Sequence, residues 1–163
     1  MGKRTISGLS LSERLPTPTG RITVSAERVR QSLLKFFGGY LRGVARLECP
    51  ARISGYICLD TELFAGALRL AAEYAYEKFI PTVTLTEENS RLYVRISPTE
   101  PYDGHSLARI CSAATAAGLV VTGSDSELCL YTELISLDAV QIYAISDTDF
   151  YGTLYRVFFL LGN

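Results

Sequence analysis

The segment Asp103-Gly104-His105-Ser106 holds the residue types most suited to chemistry in this chain, including its one histidine. A helix is predicted to begin here, and the backbone N–H groups of a helix N-terminus attract anions. Ser, His and Asp are also the members of a hydrolytic triad, but adjacent residues seldom face one another, and no nucleophile elbow surrounds them. The simpler interpretation is that Asp103 or Ser106 caps the helix, and we predict no catalytic residue.

A metal site is not predicted, because potential ligands are widely spaced. The cysteines form no CxxC pair, and the one nearest to His105 is six residues away. Zinc sites use closely spaced ligand pairs on tight turns. Cys58, Cys111 and Cys129 lie in apolar runs, where reduced thiols act as small hydrophobic residues. A disulfide between Cys49 and Cys58 would require that their strands pair.

Length and composition indicate one globular domain. The chain has 163 residues, 48% of them apolar and 20% charged, with a formal net charge of −1. Such a charge creates no overall field for nucleic acid or an anionic membrane. No stretch approaches the ~20 apolar residues of a membrane span, and the N-terminus lacks the apolar core of a secretory signal. We therefore expect a cytoplasmic protein without a cofactor, bound neither to membrane nor to nucleic acid.

Periodicity and capping residues divide the chain into a polar arm, residues 1–20, which we expect to be flexible, and a single domain, residues 21–163. Helices are predicted where apolar residues recur every three to four positions after a capping residue, and strands where they alternate. The predicted helices are 26–39, 61–79 and 106–117. The predicted strands of the first part are 21–24, 44–49 and 56–60, followed by hairpins over 82–97 and 119–135.

The C-terminal segment is rich in aromatic residues, which favour strands. We predict a third hairpin over 140–146 and 152–161. In "TLYRVFFLL" both faces of such a strand are apolar, so the second face must also be covered. The cover is either another part of this chain, such as the N-terminal arm, or another chain. The candidate interaction residues are Tyr143, Phe150, Tyr151 and Tyr155.

The order β-α-β-β-α-β-β-α-β-β-β-β predicts the fold class. Strands that arrive as neighbouring hairpins, with few and long helices, indicate a two-layer α/β (α+β) sandwich. We expect a mixed, mostly antiparallel sheet with about three helices on one face.

This order resembles the ATP-binding domain of sensor histidine kinases, a fold shared with gyrases, certain heat-shock chaperones and mismatch-repair ATPases. The likeness runs from about Ile22 to Leu134, and it reaches the end of the chain if "GTLYRVFFLL" is the family's closing strand. The stretch "DTELFAGALRLAAEYAYEKF" is similar to the family's long helix, "TVTLTEENSRLYVRIS" to the hairpin before its acidic box, and "LARICSAATAAGLVV" to the helix after its glycine box. The resemblance implies a nucleotide pocket between the long helix and the loop "SPTEPYDGHS".

The motifs that would hold the nucleotide in that family are missing. The Mg²⁺-binding Asn of the long helix corresponds to Tyr74, with Leu70 one turn earlier. Shifting the register by one residue places Glu73 and Arg69 there instead. The family's D-x-G-x-G is replaced by "SPTEP", whose prolines have no N–H to donate to a phosphate. The resemblance therefore implies a degenerate domain.

The residues left around the vestigial pocket are Glu73, Tyr74, Asp103, Gly104 and His105. The hypothesis that follows is a non-catalytic signalling or protein-interaction module that has lost ATP binding and acts through a protein partner or as a homodimer. The alternative is a nucleotide-binding protein or kinase-like enzyme with a non-standard site in the same pocket. A third reading is an unrelated α+β domain whose hairpins imitate the pattern.

Overall fold

Alternating apolar residues bring five strands into one sheet, in the order β2-β4-β5-β7-β6. The computed structural model describes residues 20–40, 45–76, 82–97, 104–124, 127–140 and 144–160. The strands are β1 Ile22–Ser25, β2 Arg46–Glu48, β3 Tyr56–Leu59, β4 Thr82–Glu88, β5 Arg91–Ser97, β6 Val120–Ser124 and β7 Glu127–Glu133. The helices are α1 Ala26–Gly39, α2 Thr61–Tyr76, α3 Gly104–Ala117, α4 Leu137–Val140 and α5 Phe150–Tyr155, which continues as a π-helix over Arg156–Leu160.

The sheet is mixed but mainly antiparallel, as the sequence predicts. Within it β2 pairs with β4 in parallel, and the other neighbours are antiparallel. One face is apolar and buried, as the alternation in β5 shows: Leu92, Val94 and Ile96 are buried, and the residues between them are half-buried. The buried residues of α1, α2 and α3 belong to the same hydrophobic core. The predicted mixed α/β fold class is therefore confirmed.

Strands β1 and β3 form a separate antiparallel ribbon of two strands. Tyr56 joins this ribbon to the segment after β7, because its N–H donates to the Ile135 oxygen at 2.9 Å and its oxygen accepts from the Ile135 N–H at 2.7 Å. Since β3 pairs with β1 rather than β2, the strands of Cys49 and Cys58 do not pair, and both residues are free cysteines.

Side-chain caps begin both α1 and α2. The Ser25 hydroxyl accepts from the Arg28 N–H at 3.3 Å at the start of α1. At the start of α2, Asp60 Oδ1 accepts from the N–H groups of Glu62 and Leu63 at 3.1 and 3.2 Å. After α3 the chain turns at Gly118, whose φ of +107° is readily adopted only by glycine.

The C-terminal segment corrects a prediction: residues 150–160 are helical rather than a β-strand. The buried residues Phe150, Leu154, Val157 and Phe158 lie at i, i+4, i+7 and i+8, which is the spacing of one helix face. Because aromatic residues are common in strands, composition pointed to a strand, while the apolar spacing is helical. Of the first half of the predicted hairpin, residues 141–143 lie outside the described residues, Val140 ends the short helix α4, and Ile145 forms an isolated bridge with Thr23.

None of the helices over the described residues is both long and apolar enough to cross a membrane.

Candidate functional site

The connection from β5 to α3 is where the resemblance places a nucleotide. Strand β5 ends at Ser97 and α3 begins at Gly104, so residues 98–103 are the whole connection. Two of these residues are the prolines of "PTEPYD". The segment itself, including Asp103, lies outside the described residues. Its length alone leaves little backbone with which to surround a triphosphate.

The described candidates near this connection occupy the first turn of α3. Gly104 and His105 are both exposed. Glu73 and Tyr74 belong to the last turns of α2, but their side chains are outside the described part. Among described residues, no cluster of three or more His, Cys, Asp or Glu side chains could hold a metal ion.

Helices α2 and α3 pack against each other. The Asp60 N–H donates to the Ala117 oxygen at 2.8 Å, which places the start of α2 at the end of α3. In the middle of α2, Arg69 and Leu70 are 2% and 8% exposed. These residues are the two candidates for the position one turn before the expected Asn, and neither faces open solvent.

An aromatic patch lies where α1 meets the C-terminal helix. We define this aromatic patch as Tyr40, Tyr151, Tyr155 and Phe159. The Tyr40 ring lies 5.2 Å from the rings of both Tyr155 and Phe159 and 6.4 Å from that of Tyr151. Tyr40 is 45% and Tyr155 is 37% exposed, while the other two are half-buried. Beneath the patch the buried rings of Phe36 and Phe158 pack 4.9 Å apart.

A lysine lies at the rim of the patch. Lys35 Nζ lies 4.4 Å above the centre of the Tyr151 ring, within cation–π range. A hydrogen bond with Tyr151 raises the pKa of the Tyr40 hydroxyl above its ordinary value. The exposed ring surface suits contact with apolar or aromatic groups.

The patch is connected to the start of α2 by an ion pair. Arg156, the residue after Tyr155, binds the carboxylate of Glu62 in the first turn of α2. The Glu62 side chain is 14% exposed, against 43% for Arg156. This contact holds the beginning of the π-helix against α2.

The structure separates the predicted interaction residues. Tyr151 and Tyr155 belong to the aromatic patch, whereas Phe150 is a core residue, 3% exposed and stacked on Phe64 at 5.6 Å. Tyr143 lies outside the described residues. Sequence reasoning missed Tyr40, although it lies four residues after Phe36 on the predicted α1 face and one residue past the helix end.

A polar cluster around Glu27 and Arg30 fixes the segment after β2 to α1. Glu27 accepts two hydrogen bonds from Arg30, at 2.8 and 2.5 Å, and one from the Ile53 N–H at 2.9 Å. The hydrogen bonds with Arg30, together with the nearby positive charge, lower the pKa of Glu27 to about 2. Arg30 Nη1 also donates to the Pro50 oxygen and lies 3.9 Å from Cys49 Sγ. The cluster is structural, since its charged groups satisfy one another.

The face of the sheet opposite the buried one carries a cleft of about 630 Å³ between β2, β4 and β5. Arg95 is its central polar group, bound to Thr86 Oγ1 at 2.7 Å and to Glu88 at 3.5 Å, with Tyr93 beneath the guanidinium. Because Arg95 is already paired within the sheet, its charge is offset. The cleft is best explained as the solvated face of an antiparallel sheet.

No protein-family model matches the sequence, and no curated protein matches it. Several similar solved structures are histidine kinases. They include the Acinetobacter baumannii histidine kinase AdeS (15% identity, 76% of this chain and 69% of that chain, TM-score 0.43) and the cytoplasmic segment of histidine kinase QseC (15%, 80% and 85%, 0.44). A third is the catalytic domain of histidine kinase ThkA (12%, 72% and 98%, 0.44). Overlaps at these scores assign no activity to this chain.

Proposed function

We propose that this protein is a non-catalytic interaction module, built on a histidine-kinase-type ATPase fold that has lost nucleotide binding. The observation that carries the proposal is the connection of only six residues between Ser97 and Gly104. In the resembled family this region contains both the acid that reads adenine and the glycines that surround the phosphates. Six residues with two prolines cannot supply both.

The residues of α2 support the same proposal. Neither register of the long helix provides an Asn, and the residues one turn earlier, Arg69 and Leu70, are buried. A buried leucine offers no ligand to Mg²⁺, which prefers oxygen ligands. A guanidinium is a cation and would repel the ion.

The aromatic patch supports a role in binding other proteins. Exposed tyrosines with an apolar floor are typical of interface centres, where Tyr contributes much of the binding energy. Tyr40 and Tyr155 present such a surface over the buried rings of Phe36 and Phe158. The partner is either a different protein or a second copy of this chain.

Thermal unfolding with ATP or ADP, each with Mg²⁺, tests the loss of nucleotide binding. A ligand at a hundred times its Kd stabilises the folded state by ~2.7 kcal/mol, which such a measurement detects readily. We expect no change in Tm with either nucleotide. A rise in Tm would contradict the proposal and support the alternative, a nucleotide-binding protein with a non-standard site around Glu73, Tyr74, Asp103 and His105.

A further inference from the structure

Gly20, the first described residue, lies beside the start of α2, to which the aromatic patch is linked by an ion pair. The Gly20 N–H donates to Asp60 Oδ2 at 3.0 Å, and Asp60 Oδ1 accepts from the Glu62 N–H at 3.1 Å. The Glu62 carboxylate in turn binds Arg156, which follows Tyr155 in the chain. Gly20 is therefore connected to the patch through two side chains and one helix end.

The segment that precedes Gly20 contains apolar residues that could cover the patch. Residues 6–15 read "ISGLSLSERL", with Ile6, Leu9, Leu11 and Leu15 as four large apolar residues. The charged residues of this segment are Glu13 and Arg14. Glu13 is the one carboxylate of the segment and is complementary to Lys35, whose ammonium lies at the rim of the patch.

The length of the segment is sufficient. An extended chain spans at most about 3.3–3.6 Å per residue, so Leu11, nine residues before Gly20, can lie about 30 Å from it. The path from Gly20 through Asp60 and Glu62 to Tyr155 is roughly 20 Å by the same dimensions. Leu9 and Leu11 can therefore reach the rings without displacing Gly20 from Asp60.

We propose that residues 6–15 pack on the aromatic patch and compete there with a protein partner. This inference rests on the proposed function, since it assigns regulation to the same interaction surface. A tethered segment acts at an effective concentration in the millimolar range, so even weak apolar contacts suffice to occupy the patch. A second copy related by symmetry would instead bring another Lys35 ammonium to a rim that already carries one.

Hydrogen exchange of the full chain, followed by mass spectrometry, tests the proposal. The double variant L9S/L11S removes the apolar contacts of the segment. We expect several-fold faster exchange in the peptides covering 34–40 and 150–159, with the remaining peptides unchanged. The control is L137S, which removes an equally large apolar side chain that is 63% exposed on α4, away from the patch. It should leave these peptides unaffected.

A variant on the patch side tests the same contact from the other partner. Tyr155→Ser alters an exposed patch residue and should accelerate exchange in residues 6–15. Unchanged exchange in both variants would overturn the proposal. So would protection of the patch that increases with protein concentration, because it would identify a second copy as the occupant.

The two proposals can fail separately. A Tm increase with nucleotide would contradict the proposed loss of nucleotide binding, while the exchange experiment would still report whether residues 6–15 cover the patch. Conversely, unchanged exchange together with a Tm that does not depend on nucleotide would contradict only the proposal that residues 6–15 pack on the patch.

Discussion

At the residue scale, the turn of the β4–β5 hairpin is strained. Asn89 and Ser90 both have positive φ, 51° and 60°. This pair of conformations is that of a two-residue type I′ turn, for which Asn-Gly is the preferred sequence. Asn tolerates the left-handed region, but Ser lacks both the freedom of Gly and the favourable side chain of Asn. Ser90 therefore lowers stability relative to glycine.

We predict that Ser90→Gly stabilises the protein by about 0.5–1 kcal/mol. Relief of left-handed strain outweighs the extra entropy of the unfolded glycine chain. The measurement is the urea unfolding free energy of both proteins. Ser32→Gly, inside α1, is the matched control and should cost about 1 kcal/mol, because no strain is relieved there. A loss of stability in both variants would contradict the assigned turn.

The Glu27–Arg30 cluster makes stability depend on pH. The pKa of Glu27 falls from 4.5 to about 2 on folding. A lowered pKa stabilises the folded state fully above pH 4.5, and this contribution is lost as pH falls through 2. We predict that Glu27→Gln is less stable than the wild type at pH 7, on the order of 1–2 kcal/mol because the pair is partly screened by solvent.

Unfolding free energies measured between pH 7 and pH 2 check this dependence. The difference between wild type and Glu27→Gln should be constant from pH 7 to about 5 and shrink below pH 4.5. Glu133→Gln is the control, since that carboxylate belongs to an exposed pair with Arg91. A difference between wild type and Glu27→Gln that does not change with pH would show that lost packing, not charge, explains the effect.

At the element scale, elements with local signals could be predicted from sequence. The β4–β5 and β6–β7 hairpins, the capped starts of α1 and α2, and the turn at Gly118 all depend on residues close together in the chain. The C-terminal helix was missed because aromatic composition and apolar spacing disagreed. The pairing of β3 with β1 and the Arg156–Glu62 contact, 94 residues apart, depend on long-range packing that no local pattern contains.

Of the candidate site, the sequence alone predicted the short β5–α3 connection. The distance in sequence between a strand end and a helix start is itself a local property, and the structure places these ends at Ser97 and Gly104. The aromatic patch was predicted only in part. Its Tyr151 and Tyr155 were found by composition, but their partner Tyr40 comes from a helix about 110 residues earlier in the chain.

The helical C-terminus predicts unequal roles for two neighbouring residues. Leu154 is fully buried, whereas Tyr155 is 37% exposed. Leu154→Ala should cost about 2–5 kcal/mol through lost burial and a cavity. Tyr155→Ala should cost about 1 kcal/mol, since mainly its ring contacts with Tyr40 and Phe159 are removed. Chemical unfolding of both variants is the measurement, and equal costs would contradict the packing of α5 described above.

At the scale of the whole molecule, one hydrophobic core joins parts that hydrogen bonding leaves separate. The β1–β3 ribbon is not part of the main sheet, yet Val24, Ile57 and Leu59 belong to the same core as Val94 and Phe158. The C-terminal helix contacts both α1 and α2, so it connects the ribbon side to the rest of the core. Shared burial of this kind makes separate unfolding costly, because each part would expose apolar surface of the other.

We therefore predict that the domain unfolds as a single cooperative unit. Urea unfolding followed by far-UV circular dichroism and by tyrosine fluorescence should give coincident transitions, as expected of a single domain near this size. Leu154→Ala should move both transitions to lower urea by the same amount, because α5 is part of the common core, and Ser90→Gly should move both to higher urea. If the ribbon and α1 formed a weaker unit, Leu154→Ala would instead separate the two transitions. That result would mean that the aromatic patch, at the junction of α1 and the C-terminal helix, opens before the sheet does.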